Sequence, residues 1–245
     1  MAYGGYPWGV ALAILQARTG STRLPGKVLS PILGRPLLLR LIDRVSSARS
    51  LDGLVVATTV DEGDDGLASL LASEGVEVRR GSVDDVLARF LQVIDEFEPR
   101  TIVRLTGDNP LVDGATIERA VAKHLEAGVE YTSNGLSHRF PHGLNVEVVE
   151  ASALRRLATL QLTAAEREHV TLGIVTRPKL FTRAAVTQDM DRSELRWTVD
   201  LPEDLAWARK VFEHLYPSDP DFGQEEVVGL IERIPALRRT MRDGG

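Results

Sequence analysis

The sequence predicts an α/β fold built on a mainly parallel sheet. Two observations predict it. Short apolar runs alternate with segments whose apolar residues recur at helical spacing, from residue 10 to about residue 135; that alternation is the pattern of βαβ units. The composition, 43% hydrophobic and 26% charged over 245 residues, is that of a globular chain able to bury a sizeable core.

In chain order, Val10–Leu15 reads as a buried strand leading into a polar loop at Gln16. Pro36–Ser47 carries Leu37, Leu38, Leu41, Ile42 and Val45 at helical spacing. Leu54–Thr59 is a second strand, Asp64–Glu74 a helix stopped by Gly75, and Val76–Arg80 a third strand. Asp84–Phe97 repeats Val86, Leu87, Phe90, Leu91 and Ile94, with Ser82 as a candidate N-cap. Thr101–Thr106 is a fourth strand, Ile117–Ala127 a helix stopped by Gly128, and Glu130–Ser133 a fifth strand. The rhythm then changes. Leu144–Val149 alternates, Glu150–Leu160 and Ala164–Val175 read as helices, and Phe181–Val186 and Leu195–Val199 as strands. Pro202–Leu215 and Glu225–Ile234 are the last helices. The reading is one domain over 10–245, with 136–192 as an inserted substrate or dimer subregion. Residues 1–9 are expected to be a flexible leader, and the end, from Arg242, to fray.

Charge and composition exclude several classes. With 29 Lys+Arg against 35 Asp+Glu, the net charge is −6, which argues against a polymeric nucleic-acid partner. There is no cysteine, hence no disulfide, thiolate nucleophile or Cys-ligated metal. No apolar run reaches about 18 residues and no secretory signal is evident, so a cytoplasmic location without a membrane partner is expected. Only four of the 29 cations are lysines, and Lys27 is one of them.

In parallel sheets ligands sit beyond the carboxyl ends of the strands. The first strand runs there into Arg18-Thr-Gly-Ser-Thr-Arg-Leu-Pro-Gly-Lys27. Small residues let backbone N–H groups approach phosphate oxygens, and fixed cations offset their charge. It is not a Walker A loop: five residues separate Gly20 from Gly26-Lys27, and Val28 replaces the Ser/Thr that would hold magnesium. By itself it reads equally as a solvated basic turn. In Arg104-Leu-Thr-Gly-Asp-Asn-Pro-Leu-Val-Asp113 a strand ends at Asp108, where a carboxylate can hold Mg²⁺ or simply shape an Asp-Asn-Pro turn; Asp113 caps the next helix. In Arg196-Trp-Thr-Val-Asp-Leu-Pro-Glu-Asp204 the position of Asp200 also suits an N-cap, with Pro202 near N1.

The pattern Arg-x-Gly-Ser-x-Arg-Leu-Pro-Gly-Lys-x-Leu, followed by Gly34-Arg-Pro36, resembles the opening of the cytidylyltransferases that activate acidic sugars, CMP-KDO synthetase and acylneuraminate cytidylyltransferase among them. It is most similar to the spore coat polysaccharide biosynthesis protein F branch. The resemblance implies a three-layer Rossmann-like nucleotide-diphospho-sugar transferase fold, a CTP substrate, Mg²⁺, a small acidic acceptor and a homodimer. It implies nucleotide contacts from Leu15, Gln16, Ala17, Arg18, Gly20, Ser21, Arg23, Gly26, Lys27 and Asp108, with Thr58, Thr59, Arg80 and Ser82 near the base. Arg18, Lys27, Asp108 and Asp200 are the implied catalytic set, with the metal on Asp108 and Asp200. Phe140-Pro-His-Gly-Leu-Asn-Val-Glu-Val148 and Glu166-Arg-Glu-His-Val170 also resemble that branch, placing Asn134, His142, Asn145, Glu147, Glu168 and His169 near the acceptor. Alternatives are a nucleotidyltransferase for another NTP with a phosphate or phosphonate metabolite, a glycosyltransferase of related architecture, and a non-catalytic nucleotide-binding module. Asp189-Met-Asp191 and Asp219-Pro-Asp221 match a glycosyltransferase metal motif but read as turns.

Overall fold

The computed structural model describes residues 11–241. Val10 and the leader before it, and the end from Arg242, lie outside the described residues. Strand β1 (Leu12–Gln16) leads to a small antiparallel pair, β2 (Pro31–Ile32) and β3 (Arg35–Pro36), and helix α1 (Leu37–Val45). Then come β4 (Gly53–Thr59), α2 (Asp65–Ser73), β5 (Glu77–Gly81), α3 (Val86–Phe97), β6 (Thr101–Thr106), α4 (Gly114–Ala127) and β7 (Tyr131–Ser133). The second half holds β8 (Glu147–Glu150), α5 (Ala151–Ala158), α6 (Ala164–Glu168), α7 (Leu172–Val175), β9 (Arg183–Ala185), α8 (Pro202–Leu215) and α9 (Gln224–Arg233).

The seven-stranded sheet has the order β5-β4-β1-β6-β8-β7-β9. Every pairing is parallel except those of β8, which runs antiparallel to both β6 and β7. The fold is the expected mainly parallel α/β sheet with helices on both faces. β1 is central and its first four residues are buried, as a strand covered on both faces requires. Alternate residues divide between two apolar layers. Ala13, Leu15, Val103 and Leu105 pack against α1, α2 and α4. Leu12, Ile14 and Ile102 pack against α3 and α5. A third core gathers Trp197, Val199, α8 and α9 around Ile32 and Leu37. No helix among the described residues is long and apolar enough to cross a membrane.

Four local expectations are corrected. Residues 195–199 form no strand; Arg196 and Leu195 make isolated bridges to His142 and Thr240. The segment's apolar residues serve the third core instead of a ladder. The 164–175 helix is two short ones, because Val170 adopts φ 50° between them. Ser82 does not cap α3; Asp85 does, accepting from the Ala88 N–H at 2.9 Å, while Ser82 Oγ accepts from Asp85 N–H. Asp200 does not cap α8: Asp204, three residues into the turn, accepts from the N–H groups of Asp200 and Leu201, both at 2.9 Å. The Asp200 carboxylate is thereby left facing the cleft. Asp113 does cap α4, accepting from Thr116 N–H at 2.7 Å.

Candidate active site

The loop after β1 folds back on itself. Gly26 N–H donates to Thr19 O at 2.9 Å, and Gly26 takes φ 71°, a left-handed conformation suited to glycine, before a short 3₁₀ turn, Lys27–Leu29. Thr19 is pinned in turn by Asp64, which accepts from its N–H and its hydroxyl, both at 2.7 Å. Burial works against the Asp64 charge, yet the Thr59 and Thr19 hydrogen bonds hold its carboxyl below the usual range.

Lys27 is carried inward by this turn and is 8% exposed. Its ammonium donates to Val199 O at 2.7 Å and Asp200 Oδ1 at 3.0 Å, and lies 3.7 Å from Asp108 Oδ2. Two carboxylates 92 positions apart therefore meet at one cation. The cause is not strand pairing. Val199 N–H donates to Asp108 O at 2.8 Å, and the Thr198 hydroxyl to the same oxygen at 3.3 Å, so the two segments are laced side by side. Gly143 permits the crossing behind them: a Cβ there would stand 2.4 Å from Thr198 N. Asp108 Oδ1 accepts from the Thr106 hydroxyl at 2.6 Å. Asp200 also meets Arg23 at 3.0 Å and Arg196 at 3.2 Å. Arg196 is held by the buried Asp204 at 2.7 Å, which Arg239 approaches at 2.8 Å.

These groups open onto a cleft of about 390 Å³. It is lined by the loop, through Ala17, Arg18, Gly20, Ser21 and Arg23; by Lys27, Asp108 and Asp200; by Gln16, Arg89, Arg104 and Thr106; and by Glu168 and His169. Leu15 is fully buried beneath it, and Gly26 shapes the loop.

Other predicted positions are not brought into this cleft. Thr58 and Thr59 are buried, and the Thr59 hydroxyl donates to Asp64. Arg80 clamps the following turn through Thr59 O, Asp61 O and Asp65. Ser82 Oγ is engaged by Asp85. Asn134 is 1% exposed, and its amide bridges Leu144 O and Val146 N. His142 and Asn145 are exposed but do not line the cleft. Glu147 pairs with Arg104. Asp191 and Asp219 hold turns, accepting from Ser193 and Asp221. Sequence reasoning missed Arg89 and Arg104. The available signal was a charge at a core position: Arg104 interrupts an apolar strand, and Arg89 shares the buried face of α3.

The described residues contain no group of three or more metal-ligating side chains. Two carboxylates converging on a cleft suit a hard cation that completes its shell with phosphate oxygens and water, so the donor set fits Mg²⁺ held jointly with a nucleotide.

A family model described as cytidylyltransferase matches residues 12–220. The spore coat polysaccharide biosynthesis protein SpsF of Bacillus subtilis is 37% identical over 232 residues, covering 91% of this chain and 95% of that protein. A 3-deoxy-manno-octulosonate cytidylyltransferase of Syntrophotalea carbinolica is 36% identical over 112 residues, 45% of this chain and 43% of that protein. The solved structure of a cytidylyltransferase from Leptospira borgpetersenii matches with a TM-score of 0.88 at 28% identity, over 93% of this chain and 95% of that one. With the family model spanning most of the sequence, and a relative and a solved structure matched almost end to end, the chain belongs to the cytidylyltransferase family and is a nucleotidyltransferase.

Proposed function

We propose that the protein transfers CMP from CTP to a small acidic acceptor, with Mg²⁺, and releases pyrophosphate. The observation that carries this is the meeting of Asp108, Asp200 and Lys27 beside a cationic glycine-containing loop in one cleft. An acceptor oxygen bonds to the α-phosphorus, and the bond to the β-phosphate oxygen breaks. Phosphoryl chemistry of this kind asks for positioning and charge neutralisation more than covalent help. Arg18, Arg23 and the backbone at Gly20 and Ser21 receive the β- and γ-phosphates. Lys27 faces the leaving pyrophosphate from beneath and keeps the two carboxylates from repelling each other. Asp108 and Asp200 would hold Mg²⁺, which when bound polarises the α-phosphate. The 136–192 region, with a second copy of the chain, is assigned to enclosing the acceptor.

Pyrophosphate release screened over four NTPs and a panel of sugar acids, sugar phosphates and phosphonates tests the reading. Release with CTP and an acid is expected. Consumption of a nucleotide sugar without pyrophosphate would replace it with glycosyl transfer.

A further inference from the structure

The cleft is lined by two guanidinium groups that the triphosphate does not account for. Arg89 is 3% exposed, yet no carboxylate lies within 4.0 Å of it among the described residues. Its Nη1 donates to Ser82 O at 2.6 Å and more weakly to Val83 O at 3.4 Å, and its Nε is buried without a partner. Burial, and after it the neighbouring Arg18 charge, lowers the pKa of this guanidinium, and Asp64 and Asp85 offset only part of that from beyond contact distance. Both carbonyl bonds come from Nη1, which leaves the other nitrogens of the fork free, and a buried cation with no carboxylate in direct contact is expensive. Arg44 is buried too, but three carbonyls fasten it away from the cleft; Arg89 lines the cleft with donors left for an anion.

Arg104 is placed differently. Its Nε donates to Gln16 Oε1 at 3.1 Å, and Nη1 to Glu147. Glu147 also accepts from the Tyr131 and Thr171 hydroxyls, both at 2.5 Å. The carboxylate is thus surrounded by donors from three other elements. Burial would raise it, but Arg104 and the two hydroxyls hold it below the usual carboxylate range. It remains ionised and fixes the plane of Arg104. Thr106, two positions on, hydrogen-bonds Asp108, and Arg104, Thr106 and Asp108 line the same cleft.

We propose that Arg104 and Arg89 form the subsite for the oxyanion that makes the acceptor an acid, with Glu147 as the positioning residue for Arg104. The anion is a carboxylate or a phosphonate, since both match the guanidinium fork. Naming it the acceptor's anion rests on the cytidylyl-transfer reading; the anion site itself does not.

The test loads the protein with a non-hydrolysable CTP analogue and Mg²⁺, then titrates it with 3-deoxy-manno-octulosonate, N-acetylneuraminate and 2-hydroxyethylphosphonate, each beside its neutral ester, methyl for the two carboxylates and dimethyl for the phosphonate. The wild type should bind at least one acid on the order of 10- to 100-fold more tightly than its ester. Which acid it is separates carboxylate from phosphonate. Arg104→Gln and Arg89→Gln should each bring that ratio close to one and leave the affinity for the analogue within about threefold. Arg89→Lys, which keeps the charge but not the fork, guards against a folding failure of Arg89→Gln and should retain an intermediate ratio. Glu147→Gln should raise KM for the acid far more than it lowers kcat. An unchanged acid-to-ester ratio in both Gln variants, a loss that falls on the analogue instead, or a wild type without preference for any acid would overturn the subsite. Pyrophosphate release with ester acceptors alone would overturn it while sparing cytidylyl transfer. A ratio that collapses as expected, without pyrophosphate release from any pairing, would keep the subsite and remove the transfer reading.

Discussion

Lys27 holds three oxygens at once: a carbonyl, Asp200 and, more loosely, Asp108. Lys27→Ala should cost about 1–3 kcal/mol of stability, because it leaves the Val199 carbonyl buried without its donor. It should also weaken CTP on the order of tenfold while weakening CMP little, since a charge-assisted contact to the outer phosphates is lost. Calorimetry with both nucleotides checks this, and equal losses would contradict the assigned role. Lys27, Asp108 and Asp200 were singled out through the family motifs that contain them; from the residues alone they read equally as a basic turn, an Asp-Asn-Pro turn and a helix cap. Arg89 and Arg104 were not, because one arginine inside an apolar pattern carries no local sign of whether a carboxylate will meet it. Only the fold shows that Glu147 touches Arg104 and that Asp64 and Asp85 act on Arg89 without touching it.

The segment 195–204 shows how an element can be misread while the residue singled out in it, Asp200, still lies in the cleft. Its apolar residues looked like a strand and Asp200 like a helix cap. The apolar residues instead pack into the third core, and Asp204 takes the capping bonds. Asp204 pairs with Arg196 at 4% and 1% side-chain exposure, so Asp204→Ala should strip the start of α8 and strand a buried cation, costing about 3–5 kcal/mol in urea unfolding. Burial disfavours the Asp204 charge, but Arg196 and the two N–H groups more than compensate and hold its pKa down. A depressed carboxylate contributes stability above its unfolded value and loses it as pH falls. The destabilisation by Asp204→Ala should therefore be full above pH ~4 and shrink below it. A difference independent of pH between 2 and 7, on the order of those values, would contradict the pairing. Gly143 gives a second prediction. It holds φ 111°, and a Cβ would press on Trp197 and Thr198. Gly143→Ala should cost more than about 2 kcal/mol and reduce turnover, because the same backbone carries Asp200.

For the whole molecule, most of the fold was written in the sequence as periodicity. The parallel half, β1, β4, β5 and β6 with α1 to α4, follows directly from apolar strand runs separated by amphipathic helices, while the small β2–β3 pair gave no such signal. The second half was less legible because its order is made by long-range contacts. β8 inserts antiparallel between β6 and β7, and residues 140–146 cross 195–198 through the bonds His142 N–H to Leu195 O and Trp197 N–H to His142 O. That crossing holds the segment that Val199 N–H laces to Asp108 O, so the cleft brings together two carboxylates, Asp108 and Asp200, as the proposed metal ligands. Metal affinity should therefore depend on nucleotide. Mn²⁺ titrated by electron paramagnetic resonance should bind on the order of tenfold or more tightly with CTP present than without it. Equal affinity in both conditions would mean an all-protein metal site.

The most direct test of the central claim is pyrophosphate release from CTP and an acid acceptor by the wild type and by Asp108→Asn. The wild type should release one pyrophosphate for each CMP-linked product. The variant should keep its fold and its CTP affinity without metal, while its turnover falls by about 10²–10³ or more. Turnover retained by Asp108→Asn would contradict the account.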